Sequence, residues 1–316
     1  MSAALPVCRA ADLGVRPPEQ RWLVERLWAE RAVGIVGGEP KCCKSFLALD
    51  VAVSVASGRP CLRRYPVRQP GPVLLFAAED ALHVVRERVT GICAAAGVDL
   101  DSLPLHVITA PTVRLDLARD QKRLRHTVEQ LRPRLLVLDP FVRLHRIDEN
   151  AAADVAPLLA YLRQLERELE TAVLLVHHAR KGAAHARAGQ ALRGSSELHA
   201  WGDSNLYLRR RGEALLMAVE HRAAAPIEAL ALELRAERDA LALRIVEDAA
   251  VTEERDPPTA HERVEAALAN LDEPVSRREL RAECRMRMAT LCEALNDLVE
   301  AGRVVERDGR FVLVSP

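Results

Sequence analysis

Apolar positions along this chain fall into two kinds of run, and their alternation predicts most of the architecture. Residues 32–36, 73–78, 105–108, 135–138 and 172–176 are short, almost unbroken apolar stretches. Continuous apolarity of that length is expected of strands covered on both faces of a parallel sheet. Between them lie longer segments with apolar residues at helical spacing, residues 45–57, 81–96 (stopped by Gly97), 121–131 and 150–169. The alternation predicts a doubly wound α/β core with parallel strands and right-handed crossovers. Residues 203–208, 214–219, 227–234 and 241–245 then follow without long intervening helices, and are expected as antiparallel strands extending the sheet.

Elsewhere the pattern changes. Residues 1–20 are polar and contain prolines, a loose lead-in. Residues 179–194 are rich in Ala, Gly, Arg, Lys and His without apolar periodicity, which predicts a long mobile loop. Residues 247–258 are acidic and end in Pro257-Pro258, the composition of a linker. The tail restarts a helical pattern over about 260–270, and Ser276-Arg277-Arg278-Glu279 is a capping box opening a second helix. Residues 289–301 place Leu291, Leu295 and Leu298 on one face of a third helix, with Gly302 at its end. Residues 303–314 read as a hairpin turned by Asp308-Gly309. Three helices and a wing predict a small winged helix-turn-helix, so the expected domains are a core over 21–246, a linker over 247–258 and a winged helix over 259–316.

Composition narrows the class without choosing a function. The 316 residues are 49% hydrophobic and 28% charged, with equal numbers of basic and acidic residues. A chain with no net charge carries no global basic field for nucleic acid, so any such partner must meet a local patch. Seven cysteines, odd in number and without metal-ligand spacing, fit reduced thiols. No signal-like start and no run approaching 18 apolar residues is present, and the expectation is a cytoplasmic protein with no membrane partner.

The chemistry concentrates at residues 37–45. Here Gly38, Glu39, Pro40, Lys41, Cys42, Cys43, Lys44 and Ser45, followed by Phe46, lie between an apolar strand and a helix. This is the Walker A pattern G-x-x-x-x-G-K-[ST] with Cys43 where the last glycine belongs. Backbone N–H groups at a helix N-terminus form a cradle for phosphate. Lys44 would reach the β- and γ-phosphates of ATP and Ser45 would hold Mg²⁺. Residues 21–28, with Trp22, Leu23, Leu27 and Trp28, are a short segment expected to fold over the nucleotide base.

Three strand ends add candidates. Glu79 and Asp80 follow the second strand, where a carboxylate can polarise a water attacking the γ-phosphate or merely favour the next helix N-terminus. The first role suits Glu79 and the second Asp80. Asp139 closes an apolar strand and is a candidate to hold Mg²⁺ through water. His177 and His178 end the next strand on the ligand side of such a sheet, with His178 the candidate phosphate sensor. Arg180, Lys181, Arg187 and Arg193 lie in or beside the 179–194 segment, where contact with single-stranded DNA and simple solvation fit equally. Arg209, Arg210 and Arg211 end a strand near an expected subunit edge, and Arg209 or Arg210 can serve as an arginine finger toward a neighbour.

In the tail, nine arginines, no lysine and eleven acidic residues over 259–316 leave a net charge of −2. Arg285 and Arg287 near the third helix, with Arg307 and Arg310 on the wing, can still make a local patch for duplex DNA. Docking to a protein fits about as well.

Together the loop at Gly38 to Ser45, Glu79-Asp80, the strand ending at Asp139-Pro140, and His177-His178 before a basic segment resemble the RecA-like ATPases of the RepA plasmid-helicase type. The resemblance covers roughly residues 20–245. It implies a RecA-like core, ring assembly (often hexameric) and ATP hydrolysis coupled to movement on single-stranded DNA in replication. It further implies Lys44 and Ser45 on phosphates and Mg²⁺, Glu79 as catalytic base, Asp139 as the Walker B carboxylate, His178 as sensor and Arg209 or Arg210 as finger. Cys43 departs from the family. A side chain there costs backbone strain of about 1–3 kcal/mol, and its thiol, beside a lysine and a helix N-terminus, is expected to have a depressed pKa. Two outcomes stay open, a working motor and a nucleotide-gated binding module with weak or no hydrolysis.

Overall fold

Apolar runs of the first 246 residues become strands of one large sheet, and most of the amphipathic segments become helices on its two faces. The computed structural model describes residues 7–12, 14, 21–178, 196–211, 214–225, 227–237, 240–246, 260–270, 273–307 and 309–313. The chain divides into two units, Met1–Val251 and Thr252–Pro316. In chain order the larger unit contains β1 (Trp22–Val24), β2 (Trp28–Ala29), β3 (Val33–Gly38), α1 (Lys44–Ser57), β4 (Val73–Ala77), α2 (Leu82–Ala96), β5 (Leu105–Val107), α3 (Ala118–Leu131), β6 (Leu135–Asp139), α4 (Ala152–Leu169), β7 (Ala172–His178), α5 (Ser196–Trp201), β8 (Ser204–Arg211), β9 (Ala214–His221), β10 (Ile227–Glu237) and β11 (Ala240–Ile245).

The main sheet has nine strands in the order β11-β10-β9-β8-β3-β7-β6-β4-β5. Alternate residues of each inner strand face opposite layers. Leu135, Val137, Leu174 and Val176 pack toward α1 and α2. Leu136, Leu138, Val173 and Leu175 pack toward α3 and α4. That is why these strands read as unbroken apolar runs rather than alternating ones.

Two expectations are corrected here. β8 was expected to be antiparallel, yet it runs parallel to β3, pairing Gly34 with Ser204 and Gly38 with Leu208. Only β9, β10 and β11 form the antiparallel extension. The short helix α5, which no apolar period announces, comes directly before β8, within the crossover that a parallel strand needs. The segment expected over the nucleotide base is instead the two-stranded β1–β2 unit. Its Ala29 N–H donates to the Ser204 hydroxyl at 3.0 Å, and Trp28 Nε1 donates to the Ala32 carbonyl. Both partners mark the beginnings of β8 and β3, so this unit caps the sheet edge opposite the phosphate loop.

One buried charge ties the helical layer to the extension. Asp50 on α1 is fully buried. Its carboxylate accepts from Leu62 N–H at 2.7 Å and from the Arg63 guanidinium at 2.6 Å. Arg63 also donates to the Leu243 carbonyl on β11 at 2.6 Å. The pair therefore bridges α1, the turn after it and the last strand.

The smaller unit contains α6 (Ala260–Ala269), β12 (Val275–Ser276), α7 (Arg277–Cys284), α8 (Met288–Glu300), β13 (Val304–Arg307) and β14 (Arg310–Leu313), with a three-stranded antiparallel sheet ordered β12-β14-β13. Val264, Leu280, Leu291, Leu295, Leu298 and Phe311 form its core. The capping box at Ser276 and Glu279 is present, and Gly302 ends α8 with φ 69°.

Replacing Asp50 with alanine leaves the Arg63 guanidinium uncompensated and should cost about 3–5 kcal/mol. Chemical denaturation monitored on the larger unit checks this; a change under about 1 kcal/mol, the range of an exposed pair, would contradict the bridging role.

Candidate nucleotide-binding site

The site begins where β3 gives out. Bare backbone is required there, since a methyl group on Gly38 would stand 2.2 Å from the Leu208 carbonyl oxygen and 2.7 Å from Cys42 Sγ. The chain then turns through Glu39, Pro40, Lys41, Cys42 and Cys43 and enters α1 at Lys44. Cys43 is the helix N-cap, with φ 62° and ψ 25°, and its side chain makes no capping hydrogen bond. Lys41 is also left-handed, with φ 65°. Thus Cys43 holds the conformation the missing glycine would hold, and the first amides of α1 remain open to an anion.

Lys44 is buried and donates from Nζ to the Glu39 carbonyl at 2.6 Å, so it spans the loop from inside. Burial lowers its pKa, opposed by Cys42 and by the Asp139 carboxylate. The thiols behave differently from expectation. Burial raises the pKa of Cys43, and the opposing fields of Arg210 and Lys44 do not overcome it. Burial likewise raises Cys42 above the ordinary thiol range. The expected low-pKa thiol is therefore corrected: desolvation outweighs the neighbouring cations.

Carboxylates gather on the other side of Lys44. Asp139 ends β6, is 8% exposed, and is paired in register with Ala77 at the end of β4. Its pKa is pushed up to about 6 by burial and by the charges of Asp80 and Glu79, against a hydrogen bond from Ser45 and the field of Lys44. A buried carboxylate beside a hydroxyl, with two more carboxylates close by, is a hard oxygen donor set of the kind that takes Mg²⁺. Among the described residues no three His, Cys, Asp or Glu side chains converge as a full metal cage. Ser45 and Asp139 are the residues that would hold Mg²⁺.

Each of the two outer acids has an arginine that the residue pattern did not single out. Glu79 accepts from Arg143 Nε at 2.8 Å, and Arg143 lies in the short turn after β6. Asp80 pairs with Arg88 on α2, whose guanidinium stacks over the Phe46 ring at 5.2 Å. Phe46 is thus a platform for Arg88 on the first turn of α1. Asp80 directly precedes Ala81, the N-cap of α2, so it lies at that helix's N-terminus as well as in this pair. The (i, i+8) separation of Asp80 and Arg88 is not a spacing that helix rules flag.

The histidines divide as strand alternation requires. His177 is buried against the Phe141 ring, 6.0 Å between centroids. His178 is half-buried and pairs in register with Gly38. Its pKa is lowered by burial and by Lys44, with Glu79 acting the other way. It therefore lies in the same field as the phosphate lysine and the candidate base. Arg210 donates from Nε toward the Lys41 carbonyl at 3.5 Å, and its charge opposes the burial that raises the Cys43 thiol. Arg209 and Arg211 are exposed on the opposite side of β8.

The candidates for nucleic acid are less gathered. Arg180, Lys181, Arg187 and Arg193 lie outside the described residues, as does the side chain of Arg307. Arg285 and Arg287 flank the start of α8 and are exposed. Arg310 donates to the Pro274 carbonyl at 2.9 Å. Outward positions of α8 carry Glu293, Asp297 and Glu300 with no basic residue on that helix, a face that repels phosphate.

The fold, the loop and the carboxylates around it define a RecA-like P-loop ATPase domain. A family model described as an AAA domain matches residues 2–184, more than half of the chain, and the chain belongs to that family. The crystal structure of the RadB recombinase is similar, with a TM-score of 0.51 and 16% identity, covering 69% of this chain and 92% of that one. This likeness is one of fold. The ATPase domain of G40P aligns with a TM-score of 0.48 and 14% identity, covering 65% of this chain and 82% of that one.

Two predictions follow from Cys43 itself. A β-branched residue tolerates the left-handed region poorly, so Cys43→Val should lose about 1–3 kcal/mol of stability. Cys43→Gly should match or exceed the natural chain in thermal unfolding. If all three melt alike, the left-handed conformation is wrong. With iodoacetamide at neutral pH, Cys42 and Cys43 should alkylate more slowly than the exposed Cys8, as followed by peptide mass spectrometry. Faster labelling of Cys43 would mean an activated thiol after all.

Proposed function

We propose that this chain is a ring-forming ATPase of the replicative-helicase kind, acting on single-stranded DNA in the replication or maintenance of a mobile element. One observation carries the reading most directly. Lys44, Ser45, Asp139, Glu79 and His178, drawn from three separate strand ends and one helix start, converge at one edge of the parallel sheet. In this reading a water molecule attacks the γ-phosphorus of ATP, its proton passes to the Glu79 carboxylate, and ADP leaves. Lys44 meets the charge on the β- and γ-phosphates, His178 reports the γ-phosphate, and an arginine from the end of β8 adds a further cation. Bound Mg²⁺ would supply charge neutralisation, held by Ser45 and, through water, by Asp139. The seven free cysteines suit a reducing cytoplasm, and no helix among the described residues is long and apolar enough to cross a membrane.

The smaller unit is read as a winged helix. Because α8 presents carboxylates, contact with duplex DNA would rest on Arg285, Arg287, Arg307 and Arg310 rather than on the outer face of that helix. The left-handed Cys43 favours a second reading, in which nucleotide gates oligomerisation or partner binding with little hydrolysis.

Hydrolysis by the purified chain, with and without single-stranded DNA, separates the two. The motor reading expects turnover that rises with DNA and falls about 10²–10³-fold in Lys44→Ala, the scale of removing one preorganised electrostatic contact. No turnover in the natural chain, with recovery in Cys43→Gly, supports the gated module. Turnover indifferent to Lys44 would contradict both.

A further inference from the structure

We propose that Arg210 is a positioning residue for its own chain's phosphate loop, a clasp in cis that holds the strained turn closed and turns a guanidinium toward the nucleotide phosphates. This rests on the nucleotide site proposed above.

Register places the residue. Gly38 and Leu208 are partners at the C-terminal ends of β3 and β8, and the approach is so close that no side chain fits at Gly38. Arg210 follows Leu208 by two positions, so its side chain leaves the strand on the same face. That face is the α1 face, where Leu206 and Leu208 share a core with Leu47 and Val51. Tyr207 belongs to the opposite layer, and so by alternation do Arg209 and Arg211. Of the three consecutive arginines, Arg210 alone faces the turn that leads into α1.

The contacts explain what it does there. Its partner is the Lys41 carbonyl, and its charge is also felt by the Cys43 thiol; Lys41 and Cys43 are the two left-handed residues of the turn, at φ 65° and 62°. Each is held in a backbone state that L-residues avoid, and Arg210 anchors the turn that contains both. Arg88, whose field also reaches Cys43, is already committed to Asp80 and stacked on Phe46. Arg210 uses its Nε on the Lys41 carbonyl, and a guanidinium carries five N–H donors, so donors remain for phosphate oxygens. An arginine finger reaching a neighbouring subunit would have to abandon the Lys41 carbonyl.

Binding and mixing experiments decide the matter on the full chain. Binding of a fluorescent, non-hydrolysable ATP analogue with Mg²⁺, measured at dilutions where the chain is monomeric, should weaken about tenfold or more in Arg210→Ala, the scale of a lost charge-assisted hydrogen bond. Arg211→Ala, on the other face, should bind as the natural chain does. Mixing Arg210→Ala chains with Lys44→Ala chains should give no hydrolysis above the sum of the separate variants. Recovery in the mixture, or unchanged binding by Arg210→Ala, overturns the proposal in favour of a finger in trans. Binding that is insensitive to Lys44→Ala would instead remove the nucleotide site on which the clasp depends. A chain that binds without turning over is still judged by the binding measurements.

Discussion

The backbone of β3 lies so close to β8 that two of its residues can have no side chain. A methyl group at Gly34 would stand 1.7 Å from the Ser204 carbonyl oxygen, and one at Gly38 2.2 Å from that of Leu208. With both glycines bare, β3 is held between β7 and β8 along its length. Everything chemical in the larger unit hangs on that placement. It sets where the phosphate loop starts, brings His178 level with Gly38, and carries Arg210 to the turn. The same approach at the other end seats β1–β2 through Ser204, away from the loop.

Charge is distributed around the loop by pairing rather than by accumulation. The outer acids Glu79 and Asp80 are each met by an arginine, Arg143 and Arg88, from elements that follow in the chain. Asp139, buried and bonded to Ser45, has no such partner and its proton affinity rises. A carboxylate in a dry site is costly unless a cation joins it, so Asp139 is suited to meeting one. Lys44 faces the converse cost. Its ammonium is desolvated and leans on the Glu39 carbonyl, a contact that phosphate oxygens can replace.

Much of this was legible in the residues because it is local. Unbroken apolar runs gave the inner strands, since a strand covered on both faces has no polar side to show. The loop motif, Asp139 and the two histidines follow from strand ends in a parallel sheet. The capping box at Ser276 is a four-residue signal and needed no tertiary information. What the residues did not show depends on contacts between distant segments. β8 looks like the antiparallel strands after it, and only its pairing with β3 shows it to be parallel. Arg143 and Arg88 are ordinary charged residues until the fold sets them beside Glu79 and Asp80. The thiol of Cys43 was misjudged because nearby cations are visible in sequence, whereas desolvation is not.

In the proposed function a loop with cysteine in place of its last glycine still cradles nucleotide phosphates without changing shape. A crystal structure with Mg²⁺ and a non-hydrolysable ATP analogue is the decisive measurement. Phosphates are expected between Gly38 and Ser45, with the Lys44 ammonium moved from the Glu39 carbonyl onto them and Cys43 still at positive φ. A nucleotide bound elsewhere, or a loop that must unwind the start of α1 to admit it, would contradict the claim.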